Sequence, residues 1–159
     1  MDSKLKQQYI ERVNTANPLQ LTIINYELVI HNIEEAQASE NQSPQYLEAL
    51  TEAYAFLAEL YESLDFSVDF SNDLGALYML STQLITRAKL TKNPSEAQTL
   101  LGEVHEILTN LLASWQKLEQ DGETGIKPQT SSTYAGLTYT KDGRLSEYED
   151  GSPSSDYKV

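Results

Sequence analysis

Acid–base or metal chemistry in this chain would have to be built on two histidines, His31 and His105, and on 24 carboxylates, because the sequence contains no cysteine. Imidazole is the side chain whose charge changes near neutral pH, so the histidines are weighed first. A di-iron site inside a helical bundle uses Glu-x-x-His pairs, which turn both ligands inward from one turn. His31 follows Glu27 by four residues and His105 follows Glu103 by two, so neither forms that pair. A phosphotransfer histidine would need a lysine close by. His31 is instead followed by Asn32, Ile33 and Glu34, and His105 by Glu106, Ile107 and Leu108. The missing cysteines remove thiolate nucleophiles, thiolate metal sites and disulfides. Phosphate-cradling glycine loops and nucleophile motifs do not occur either. The expectation is a protein that is not an enzyme and needs no cofactor or metal.

Charge and length narrow the remaining classes. The 159 residues carry a formal net charge of −13, which repels phosphate backbones and argues against nucleic-acid or anionic-membrane partners. The N-terminus, Met1-Asp2-Ser3-Lys4, lacks the apolar stretch of a signal peptide, and nowhere do 18 apolar residues run together. A cytoplasmic location is expected. The length suits a single domain. Five of the seven glycines follow residue 121, as do two of the five prolines. These shifts divide the chain into a helical domain over residues 1–120 and a flexible C-terminal extension over residues 121–159. Most of the acidity belongs to the first part, which holds 17 acids against seven bases.

Three dipeptides, Asn17-Pro18, Ser43-Pro44 and Asn93-Pro94, put a capping side chain before a proline at the first helical position. Gln20 and Glu96 stand where capping-box partners of Asn17 and Asn93 belong. A further helix is expected to start near Ser71, with Asn72 and Asp73 in its first turn. Apolar residues step by three and four in each segment: Leu19, Ile23, Tyr26, Ile30 and Ile33, then Leu47, Leu50, Tyr54, Leu57, Tyr61 and Leu64. Stripes through Leu74, Leu77, Tyr78, Leu84 and Ile85, and from Leu100 to Leu118 through Trp115, complete the set. Short connections between such helices specify an all-α, antiparallel four-helix bundle. A short extra helix is expected over residues 3–14, and the C-terminal tail should be mostly irregular. Tyr54, Tyr61 and Tyr78 are expected at the edge of the core with hydroxyls reaching water.

The helix from residue 18 to about 38 has two apolar sides. Its core stripe lies within about 40° of one direction, and Leu21, Ile24 and Leu28 point almost opposite. The reverse stripe needs cover from the N-terminal segment, the tail or a partner. Tyr9, Ile10 and Val13, in the N-terminal segment, would be wasted unless they docked on the bundle. Tyr9, Ile10, Val13, Leu21, Ile24 and Leu28 are therefore the candidate partner-binding residues. Met79 and Leu90 form a weaker outward pair.

Tyr9, then Val13-Asn14-Thr15-Ala16-Asn17-Pro18-Leu19-Gln20-Leu21, then Asn25-Tyr26-Glu27, resembles the FliS family of flagellar export chaperones. That family shows a Tyr, then Thr-Ala-Ser-Pro-x-Gln-Leu, then Leu-Tyr-Asp. Asn17, Asn25 and Glu27 stand here for its Ser, Leu and Asp. The resemblance extends through Ser63-Leu64-Asp65, Asp73-Leu74 and Leu77-Tyr78 to the last helix with Trp115, roughly residues 5 to 120. It implies a cytoplasmic bundle that binds the disordered C-terminal segment of flagellin, prevents premature polymerisation and delivers it to the export apparatus. It also implies that the segment carrying Tyr9 lies near the client site, where its docking would be either permanent or that of a plug that a client displaces. The alternative is a generic helical adaptor or regulator that uses the same stripe to bind a folded partner. In the tail, Asp142-Gly143 between β-compatible flanks is expected to make a two-residue hairpin turn. That segment would either extend as a dispensable tail or fold back with Leu137 and Tyr139 over the groove.

Overall fold

A computed structural model describes residues 1–123 and, beyond them, two strand segments. Five helices follow in chain order: α1 (Ser3–Thr15), α2 (Pro18–Gln37), α3 (Pro44–Glu62), α4 (Asp69–Leu90) and α5 (Pro94–Glu123). Helix starts fall where the sequence supplies caps. Asp2 accepts the Leu5 amide at 2.8 Å and so opens α1. Asn17 and Gln20 complete a reciprocal capping box at α2. Ser43 accepts the Tyr46 amide at α3. At α5, Asn93 accepts the Ser95 and Glu96 amides, but the Glu96 carboxylate accepts from the Thr91 hydroxyl instead of closing the box.

The start of α4 differs from expectation. It begins at Asp69, two residues before Ser71, and its N-cap Val68 makes no side-chain capping bond. With no capping side chain, the start is set by packing and by the Ser71 amide donating to the Val68 carbonyl, which leaves Ser71 inside the helix and buried. Asp69 sits in the first turn, where its charge favours the helix dipole.

Helices α2 to α5 pack around a square, α2 against α3 and α5, and α4 against the same two. The one-sided stripes meet at its centre, where Ile23, Ile30, Ile33, Leu50, Leu57, Leu74, Ile85, Leu101 and Leu108 are buried together. Tyr26 of α2 and Tyr78 of α4 share a hydrogen bond between their hydroxyls, and the Trp115 ring lies 6.2 Å from Tyr26. The Tyr78 hydroxyl thus bonds inside the core rather than reaching water, because its stripe faces the bundle axis. Burial pushes the Tyr26 hydroxyl well above the ordinary tyrosine range. Tyr61 keeps the edge position, whereas Tyr54 turns outward and is exposed.

Helix α1 lies outside the square and packs on α2. At the other end of the chain, β1 (Thr138–Tyr139) pairs antiparallel with β2 (Leu145–Ser146), and β2 runs beside α2. The register sets Tyr139 opposite Leu145. A two-residue turn at Asp142-Gly143 would set Thr140 opposite Leu145, so the pairing is one residue out of step with that turn. The remaining tail residues, Leu137 among them, lie outside the described residues.

Candidate functional site

The reverse stripe of α2 is shielded from water to different degrees along its length. Ile24 is 2% exposed and Leu28 8%, yet neither belongs to the central cluster that holds Ile23 and Ile30. Leu21, nearer the start of α2, is half-buried. Of the α1 candidates, Tyr9 is half-buried, while Ile10 and Val13 remain 45% and 43% exposed. No residue of α1 is buried. The segment is therefore laid on the bundle rather than built into it.

Polar bonds tie it to α2. The Arg12 guanidinium donates to both oxygens of Glu27, at 2.6 and 3.2 Å. The Tyr9 hydroxyl donates to the same carboxylate at 3.1 Å, and the Arg12 cation stands 5.2 Å from the Tyr9 ring centre. Partial burial and the adjacent Glu27 charge both push the Tyr9 hydroxyl above its ordinary value. The Arg12 guanidinium is likewise held more firmly protonated by its bond to Glu27. At the far end, the terminal amine of Met1 pairs with Glu35 at 3.1 Å. The two attachments, Met1 to Glu35 and Arg12 to Glu27, run α1 antiparallel to α2.

Between α1 and α3 opens a groove of about 510 Å³ whose apolar lining includes Ile10, Val13, Leu28 and Phe56. Lys6 stands on its α1 side, and Glu48 and Glu52 on its α3 side. Four of the six candidates, Tyr9, Ile10, Val13 and Leu28, line this groove. Leu21 and Ile24 belong to the same α2 face but not to its lining. Sequence reasoning missed Arg12, Glu27 and Phe56. Arg12 lies one turn from Tyr9 and Glu27 one residue from Leu28, so a charge facing a charge across two apolar stripes was the available signal.

The two histidines stand in different settings. His105 meets Glu34 at 2.8 Å across α5 and α2, a bridge between neighbouring helices. His31 keeps Nε2 out of water without a hydrogen-bond partner. Among the described residues, no three His, Asp or Glu side chains gather as a metal site requires. Among them, too, no helix is long and apolar enough to cross a membrane.

Residues 1–122 match the family model described as flagellar protein FliS. No curated protein matches the chain.

Proposed function

The chain belongs to the FliS family, whose members are flagellar export chaperones rather than enzymes, and on that premise we propose that its α2 face receives the C-terminal segment of flagellin in place of α1. The observation that carries this reading is the contrast within α2. Its inner stripe is locked into the core, whereas Leu28 of its outer stripe lines a groove with residues of α1, a helix with no buried residue of its own. A disordered, amphipathic client can fold on such a face and bury more apolar surface there than α1 does. Covered in this way, the client cannot polymerise before it reaches the export apparatus. Tyr9, Ile10 and Val13 act as the displaceable plug, and Leu21, Ile24 and Leu28 as the seat.

Calorimetry with full-length flagellin and with a C-terminally truncated form tests the proposal. Binding one to one, with helix gained by the client and lost on truncation, is the expected result. Equal binding of both forms would exclude it, and would favour an adaptor that recognises a folded partner.

A further inference from the structure

The helix already seated on α2 defines what can replace it. α1 presents Leu5, Tyr9, Ile10 and Val13 together with Lys4, Lys6 and Arg12, against the single acid Glu11. It is a cationic amphipathic helix, and its shortest bond to the bundle joins Arg12 to Glu27. The surface around it is acidic. α3 carries Glu48, Glu52, Glu59 and Glu62 and no basic residue. Glu48, Glu52 and Glu59 share one exposed side of α3, the first two on the groove wall next to Phe56. None of the three has an ion-pair partner among the described residues. Carboxylates four residues apart on a helix repel one another, and a cation placed between them relieves that repulsion.

We infer that the segment received on the α2 face is itself a cationic amphipathic helix, whose apolar stripe fills the groove over Leu28 and Phe56 while its basic flank meets Glu27, Glu48 and Glu52. The inference rests on the proposed exchange of α1 for a client and specifies the chemistry of that client. The apolar floor supplies affinity without discrimination. Acids along one wall select among amphipathic segments and orient them, since the reversed helix would turn its cations away from α3.

Two synthetic amphipathic peptides test it on the full chain. They share one apolar stripe and differ only in three flank positions, lysine in one and glutamine in the other. Titration at about 0.05 M and about 0.5 M salt should show the lysine peptide binding about fivefold more tightly at low salt, with the preference lost at high salt. The Glu48→Gln/Glu52→Gln variant should lose the preference while melting like the parent protein, since both side chains are exposed. Equal affinity of the two peptides for the parent protein, or a lysine preference that survives in the variant, would overturn the inference. A flagellin C-terminal segment titrated alongside reads the underlying site assignment separately: if it binds while the peptides do not differ, only the inference falls.

Discussion

At the scale of single residues, Glu27 does the most. It accepts three hydrogen bonds from α1, two from Arg12 and one from Tyr9. Arg12→Ala removes two of them and leaves α1 held by Tyr9 and the Met1 amine. Expected are faster hydrogen exchange throughout α1, a few-fold gain in client affinity, and a loss of no more than about 1 kcal/mol in global stability. A melt unchanged alongside unchanged α1 protection would show that Arg12 is not the latch. The Tyr9 hydroxyl is held above its ordinary value, so the docked state favours the protonated phenol. The contribution of the Tyr9 bond to docking should be intact below about pH 10 and be lost as pH rises through the raised pKa, a loss in α1 protection that should be missing from the Tyr9→Phe variant. Ile24 and Ile30 separate the two sides of α2. Ile30→Asp should unfold the bundle, because an unpaired charge in the central cluster costs several kcal/mol, comparable to the stability of a domain. Ile24→Asp should free α1 and weaken client binding with a much smaller change in melting temperature. Equal melts would show that both residues belong to one core. The candidates at this scale were legible where periodicity revealed them, as for Leu28 opposite Ile23. Arg12 and Glu27 were harder to read, because their only signal was a charge beside each of two apolar stripes, and pairing them required knowing that the stripes meet.

At the scale of elements, legibility followed the caps. α2, α3 and α5 start at the prolines that announce them, and only α4, lacking a capping side chain, starts two residues early. Two helical glycines show how context alters one substitution. A Cβ on Gly102, in α5, would meet nothing within 4 Å. Gly102→Ala should therefore stabilise the fold by roughly 0.5–1 kcal/mol, the helix-propensity difference. A Cβ on Gly75, in α4, would stand 2.8 Å from the Phe66 ring. That ring is half-exposed in the α3–α4 connection and lies tilted against Tyr61, with ring centres 5.4 Å apart. Gly75→Ala must displace it, so its gain should be smaller than that of Gly102→Ala or reversed. Parallel thermal melts decide, and an equal gain at both positions would show that Phe66 moves at no cost.

At the scale of the whole molecule, the sequence made the bundle plain but not the arrangement of its appendages. An α2 with two apolar sides required a cover, and its identity depended on which distant segment came to rest there. Removing residues 124–159 tests the independence of the bundle from its extension. The melting temperature should change little and client affinity should rise modestly at most, since β2 runs beside α2. A large loss of either would make the tail part of the fold or of the site. A final consequence follows from the two residues, Ala16 and Asn17, that join α1 to α2. So short a connection keeps α1 at a local concentration on the order of millimolar, whatever the cellular level of the protein. Any client therefore competes against a ligand that dilution cannot remove, and its apparent affinity is lowered by the fraction of time the face is occupied. Short apolar fragments lose that competition. On the proposed exchange, a longer segment that holds the bundle at several points at once should outcompete α1 where a short one fails, so the tether would act as a length filter.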